Sequence, residues 1–198
     1  MPKNHSRGYL PHIEVKKVQF ITFRLYDSLP QELLSWCKLY AGLNNGQDSQ
    51  TEIVRQKQKM MLRLIDKYED SGYGQCFLKD ERVAAMIRDT LMLHDGNKYD
   101  LLAWCIMPNH VHVLISINGD CSLSQILHSW RSYTAHAANE ILGRTGQFWM
   151  SEYFDRYIRD QDHYCRVVNY IANNPFKAGL VKSPEDWPWC GNREVRVW

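Results

Sequence analysis

Met107-Pro108-Asn109-His110-Val111-His112-Val113-Leu114-Ile115 sets two histidines one residue apart, just ahead of an apolar run. In an extended strand, side chains two apart point to the same face. His110 and His112 therefore project together, while Val111, Val113 and Ile115 point the other way. Two imidazoles side by side are half of a divalent-metal site. Taken alone, an H-x-H pair is more often two polar residues on a half-buried strand, because two-residue patterns recur by accident. What surrounds the pair carries the reading further.

Immediately upstream, Tyr99 to Ile106 is a continuous apolar strand, and Pro108-Asn109 supplies a turn. His110 to Ile117 is the returning strand of a hairpin, ended by Asn118-Gly119-Asp120. Before the hairpin, Asp80 opens a helix with Val83, Met86, Ile87 and Leu91 at three- and four-residue spacing, closed at Gly96. After it, Ser122 or Ser124 caps a helix from about 123 to 142, whose apolar side includes Ile126, Leu127 and Trp130. Phe148-Trp149 and Tyr153 to Ile158 read as a short final strand, and Val18 to Leu25, rich in β-formers, as the first.

Residues 31–77 are a helical pair inserted after that first strand. Gln31 to Tyr40 is stopped by the stretch from Gly42 to Gly46, and Ser49 with Glu52 makes a capping box. The second helix carries Ile53, Met60, Met61, Leu64 and Tyr68 on one stripe. Its charges, including Lys59, Arg63 and Asp66, read as a solvated face. Asp160 or Asp162 opens a last helix, which Asn173-Asn174-Pro175 stops, because proline disfavours α geometry in the residue before it. Without the insertion the order is β, α, β-hairpin, α, β, then one extra helix. That is an α+β fold: a ferredoxin-like split βαβ antiparallel sheet with helices on one face. The histidines would face the open side, with the last helix on or beside it.

With 198 residues, a single domain over 1–198 is expected, and 44% hydrophobic residues are enough for a core. None of the six cysteines forms a C-x-x-C pair, so a zinc ribbon or redox motif is disfavoured. They read as reduced thiols of a cytosolic protein. No leader peptide or membrane span is expected. A net charge of +2 does not demand a nucleic-acid partner. Residues 1–16 read as a partly ordered arm. Lys3, Arg7, Lys16, Lys17 and Arg24 face one acid, Glu14, so the start of the chain is either a solvated tail or a DNA contact. Residues 176–198 form a tail with Trp187, Trp189 and Trp198 that packs back on the body or stacks on unpaired bases.

The last helix places Tyr170 and Asn174 one turn apart on a shared face. Val167, Val168 and Ile171 lie largely on another side and would anchor it. Two imidazoles and an amide oxygen leave open positions on a divalent ion for a phosphate. A phenol nearby supplies a nucleophile that conserves phosphodiester energy as phosphotyrosine. The plain alternatives are a packed tyrosine and an asparagine that stops a helix.

Ala103-Trp104-Cys105-Ile106-Met107-Pro108-Asn109-His110-Val111-His112 resembles the HUH motif of IS200-like transposases. Phe148-Trp149, the run Glu152 to Asp160, the run Asn169-Tyr170-Ile171-Ala172-Asn173-Asn174-Pro175 to Val181, and Asp186-Trp187-Pro188-Trp189 are similar to the REP-associated tyrosine transposases of that family. The resemblance covers about residues 18 to 190 and is weakest over the inserted helices. It implies a bacterial single-tyrosine HUH nuclease using Mg²⁺ or Mn²⁺. Such an enzyme cuts single-stranded DNA near hairpins of REP-like palindromes, joins its tyrosine to a 5′ phosphate and leaves a 3′ hydroxyl. By motif, His110 and His112 are metal ligands and Tyr170 the nucleophile. Asn174 takes the third-ligand position, where related enzymes often carry Gln, so its shorter side chain must sit closer to the ion. Lys16, Lys17, Arg24, Arg131, Arg156 and Arg159 are candidate DNA contacts, and His128 and His163 read as surface residues. The implied setting is the bacterial cytoplasm and nucleoid, as a monomer or homodimer, with no membrane partner. The same residues also admit a hairpin-binding protein without chemistry, or a metal phosphodiesterase that uses water.

Overall fold

The strands Tyr99–Ile106 and His110–Ile117 form the expected hairpin, and the sheet extends outward from it. The computed structural model describes residues 3–6, 11–14, 18–44 and 52–193. Its elements in chain order are β1 (Lys3–Ser6), β2 (Pro11–Glu14), β3 (Val18–Leu25), α1 (Gln31–Asn44), α2 (Glu52–Asp70), α3 (Glu81–Met92), β4 (Tyr99–Ile106), β5 (His110–Ile117), α4 (Leu123–Ile141), β6 (Trp149–Tyr157), α5 (Gln161–Lys177) and β7 (Cys190–Asn192). Strands β3 to β7 make one antiparallel sheet in the order β6-β3-β5-β4-β7. Without β7 this is the split βαβ order that the sequence predicts.

Strand alternation gives the sheet two faces. On one, Val111, Val113 and Ile115 of β5 meet Val83 and Ile87 of α3 and Ile126 and Trp130 of α4. The one polar group that Trp130 brings inside is satisfied. Its indole N–H donates to the Tyr99 hydroxyl at 3.0 Å, which donates to the Leu91 carbonyl at 2.7 Å. Helices α3 and α4 on this face, and α5 on the other, start at expected caps. Asp80 accepts from the Arg82 amide, Ser122 forms a capping box with Gln125, and Asp160 accepts from the His163 amide.

The other face was expected to be open with the last helix on or beside it; α5 does lie on it, and the face is covered. Phe20, Leu102 and Leu114 present an apolar stripe there, and Tyr164, Val167 and Ile171 of α5 cover it. Beside α5, Leu33, Leu34 and Cys37 of α1 pack with Met61 and Ile65 of α2 and Met150 of β6. An apolar sheet face has to be buried, and the inserted helices and α5 do it together. The expected α2 stripe holds at Met61, Leu64 and Tyr68, which pack in this cluster, but Ile65 is also buried and Met60 is exposed. Helix α1 runs past Gly42 to Asn44, and the Ser49 cap lies outside the described residues.

Three further expectations change. The supposed arm contains a hairpin, β1 pairing β2 from Lys3↔Glu14 to Ser6↔Pro11. The aromatic tail does fold back, and it also adds edge strand β7 to β4. The Trp187 indole donates to the Ile106 carbonyl at 3.1 Å, and the Trp189 carbonyl accepts from the Ile106 amide. Pro175 does not stop α5, which continues to Lys177. Proline leaves the Ile171 carbonyl without its intrahelical N–H, and the Cys190 thiol of β7 lies 3.9 Å from that oxygen. The turn out of the helix falls at Gly179, with φ +70°. All six cysteines are free thiols. No described helix is long and apolar enough to cross a membrane.

Candidate active site

The turn before β5 fixes the two histidines. The Met107 amide donates to the His110 carbonyl at 2.9 Å, and the Leu25 amide donates to the Asn109 carbonyl at 2.9 Å. The side chains of His110 and His112 then point to the α5 face, where they are buried. Asn109 is buried as well. Its amide nitrogen donates to the Tyr73 carbonyl at 2.9 Å, which turns its oxygen toward His110 Nδ1 at 2.8 Å. His110 must donate from Nδ1, so its Nε2 carries a lone pair. Gly74 allows this loop to close: its φ is +92°, and a Cβ there would lie 2.6 Å from the Asp27 carbonyl oxygen.

His110 Nε2 lies 3.0 Å from His112 Nε2. On the far side of His112, Nδ1 meets the Thr22 hydroxyl at 2.7 Å. That hydroxyl can donate or accept, so His112 can also present its Nε2 lone pair. Burial holds both rings neutral. It pushes His110 down to about 3, with the nearby Arg24 charge adding to it. His112 is held well below the ordinary histidine value by burial first, then by His110, with Glu69 opposing. Neutral imidazole is the form that binds a metal.

Helix α5 brings the other two residues. The Asn174 amide nitrogen lies 3.2 Å from His112 Nε2. The Asn174 side-chain oxygen is buried and has no hydrogen-bond partner among the described residues. One turn earlier, the Tyr170 ring meets His112 edge-to-face at 5.2 Å and Phe20 at 5.9 Å. Burial raises the Tyr170 phenol well above its ordinary value, and Asp66, Glu69 and Asp70 of α2 raise it further. A hydrogen bond with Asn174 pulls the other way. Desolvation in the wall beside Tyr170, then Glu69 and Asp70, pushes Asp66 up to about 7. Glu69 itself is paired with Arg24, and both are buried.

These donors fit a divalent ion. Two nitrogens 3.0 Å apart match adjacent corners of an octahedron whose bonds are about 2.1 Å. Asn174, whose amide group meets His112 and whose oxygen is buried without a partner among the described residues, is the candidate third donor. No group of three His, Cys, Asp or Glu side chains suited to a metal occurs among the described residues, and the Asn174 amide oxygen is the candidate that would complete the set.

The IS200-like transposase family model matches residues 75–174, half of the chain. The chain belongs to the IS200-like transposase family. The matched segment contains both histidines, the tyrosine and the asparagine. A REP-associated tyrosine transposase of Escherichia coli (strain K12) is 28% identical over 92 residues, 46% of this chain and 53% of the relative. A Haemophilus influenzae protein of the same description is 27% identical over 110 residues, 50% of this chain and 62% of the relative. The chain thus spans less than two thirds of the length of either relative. Among solved structures, a REP-associated tyrosine transposase bound to a REP hairpin shares the fold, with TM-score 0.50 and 17% identity over 95% of this chain and 81% of the other.

Within this IS200-like domain the basic candidates separate. Arg24 is not available to DNA as a surface charge; it is 2% exposed and paired with Glu69. It sits opposite His110 in the β3–β5 register, so its side chain follows the histidines inward. Arg131 is also committed, donating to the Met150 and Ser151 carbonyls of β6. Arg156 and Arg159 are exposed. Lys16 and Lys17 lie outside the described residues. His163 is buried beside the site rather than on the surface, because α5 packs its first turn against the sheet.

Sequence reasoning missed the orienting roles of Thr22 and Asn109 and the presence of Glu69. Thr22 had a signal: Phe20, Thr22 and Arg24 alternate on β3 and share a face. Glu69 had none, since it depends on where the inserted helix docks.

Proposed function

We propose that this chain is a metal-dependent single-stranded DNA endonuclease and transesterase that cuts near hairpins through a 5′-phosphotyrosine. The observation that carries the reading is the meeting of Tyr170 and Asn174 at His112, whose Nε2 is 3.0 Å from that of His110. Hairpin DNA as partner is supported by the solved relative of the same fold, which is bound to a REP hairpin. His110, His112 and the Asn174 oxygen would hold Mg²⁺ or Mn²⁺. Nitrogen donors favour Mn²⁺ of the two. The ion, when bound, supplies Lewis-acid stabilisation of phosphoryl charge. Asn109 and Thr22 keep the imidazoles aimed. The Tyr170 oxygen attacks phosphorus, the P–O3′ bond breaks, and the 3′ oxygen leaves as a hydroxyl. The phosphodiester retained on tyrosine lets a 3′ hydroxyl reverse the step and rejoin strands.

The test is an end-labelled oligonucleotide carrying a palindrome from the DNA flanking the gene, incubated with protein and Mn²⁺ or Mg²⁺, then run on a denaturing gel. A shifted protein–DNA band is expected with metal, stronger with Mn²⁺, and absent with chelator. Proteolysis and mass spectrometry should place the DNA on the peptide containing Tyr170. Hairpin binding with no adduct under any metal would leave the non-catalytic binding reading instead.

Asn109 does not itself hold the ion in this reading. Asn109→Ala is nevertheless expected to weaken Mn²⁺ binding about 10- to 100-fold, the usual effect of removing the partner that orients a ligating histidine. Electron paramagnetic resonance titration of free Mn²⁺ measures it. Unchanged affinity would show that His110 keeps its orientation without Asn109.

A further inference from the structure

A cavity of about 310 Å³ lies between α2, α5 and the β3–β6 side of the sheet. Tyr170 forms part of its wall, together with Thr22, the residue that meets His112. At its edge stand Lys59 and Arg63, both exposed and one helical turn apart on α2. Arg156 of β6 also lines it, its guanidinium 5.3 Å from the Phe154 ring centre. None of these three cations is in an ion pair among the described residues. Acids share this wall. Glu69 is paired with Arg24, and Asp66, exposed like the two cations, stands about one turn beyond Arg63 on α2, beside Tyr170.

We infer that this cavity holds one unpaired nucleotide of the strand being cut, with Lys59 and Arg63 of the inserted helix contacting its phosphates. The inference rests on the proposed function, since a phosphate attacked by Tyr170 has a nucleotide attached on each side. One of those nucleotides must occupy the space that Tyr170 borders. The volume is at the lower end of small-ligand pockets, which suits one nucleotide and excludes a duplex. The lining has the composition that unpaired nucleic acid requires: an aromatic ring with an arginine over it for a base, and cations along the rim for the backbone. Lys59 and Arg63 lie outside the segment matched by the family model. The inserted helix would then take part in substrate binding rather than being a solvated appendage.

The test measures binding by fluorescence anisotropy, with chelator present so that no strand is cut. The probes are a palindromic DNA hairpin with a short unpaired tail on its 5′ side, on its 3′ side, or with none. Wild type should prefer one tailed hairpin over the blunt one. A Lys59→Ala/Arg63→Ala variant should lose about tenfold on that tailed probe, with a salt slope shallower by up to about two. Its affinity for the blunt hairpin should not change. Both side chains are exposed, and an unchanged melting temperature confirms that the variant is folded. Equal affinity of wild type and variant for the tailed probe would overturn the inference, as would an equal loss on tailed and blunt probes. Failure of wild type to bind any hairpin would instead overturn the functional reading, and this inference with it.

Discussion

Glu69→Ala should cost about 3–5 kcal/mol of folding stability, the range seen when one partner of a buried ion pair is removed. Arg24 and Glu69 are each 2% exposed, and the pair bridges β3 to α2. Without the carboxylate, the guanidinium is left buried beside two imidazoles that burial already keeps neutral. β3 points it inward alongside His110, at the wall of the cavity beside Tyr170. Urea denaturation should show a lower midpoint, and a loss below about 1 kcal/mol would mean that the pair is hydrated in solution. Replacing both partners, Arg24→Met with Glu69→Leu, should recover most of the loss, because the desolvation cost goes with the charges. That double variant separates the need for charge from the need to fill the space under α2.

The same ion pair marks where the sequence stops being legible. Much of the local structure could be read: the β4–β5 hairpin from its apolar run and Pro108-Asn109 turn, the caps at Asp80, at Ser122 or Ser124 and at Asp160 or Asp162, and the shared face of Tyr170 and Asn174. The strand order followed from element order once the inserted helices were set aside. What could not be read depended on docking between distant segments. Alternation placed His110 and His112 on one face but not what would cover that face. Arg24 looked like a basic residue near a basic end because its partner lies 45 positions away. Arg131 looked free because main-chain carbonyls carry no residue signature. Pro175 was misread for the same reason. Its local rule is sound, but β7 brings a thiol to the carbonyl that proline leaves bare, and the burial of Asn174 and Pro175 holds the helix together. The segment 3–14 offered no apolar period, and among the described residues β1 and β2 form a separate two-stranded sheet.

Tyr170→Phe should abolish the covalent adduct while leaving the fold and hairpin binding in place. Loss of a nucleophile removes activity on the order of 10⁴-fold or more, so no shifted band is expected on a denaturing gel at any metal concentration. The substitution is narrow. Phenylalanine keeps the ring that packs on His112 and Phe20, and it removes only the hydroxyl that burial and the α2 carboxylates keep protonated. Melting temperature should move by no more than about 1 kcal/mol of stability implies, and anisotropy with a hairpin probe should be unchanged. Tyr164, on the same helix, is the matched control. Its hydroxyl is also buried and has no partner among the described residues, yet it packs with Val167 and Ile171 in the apolar cluster. Tyr164→Phe should therefore leave the adduct intact. The outcomes assign the chemistry without further variants. Strand cleavage that continues in Tyr170→Phe without an adduct means that water attacks and the tyrosine is structural. An adduct that persists means that another residue is the nucleophile. An adduct lost in Tyr170→Phe and kept in Tyr164→Phe ties the reaction to the one phenol that stands beside both His112 and Asn174.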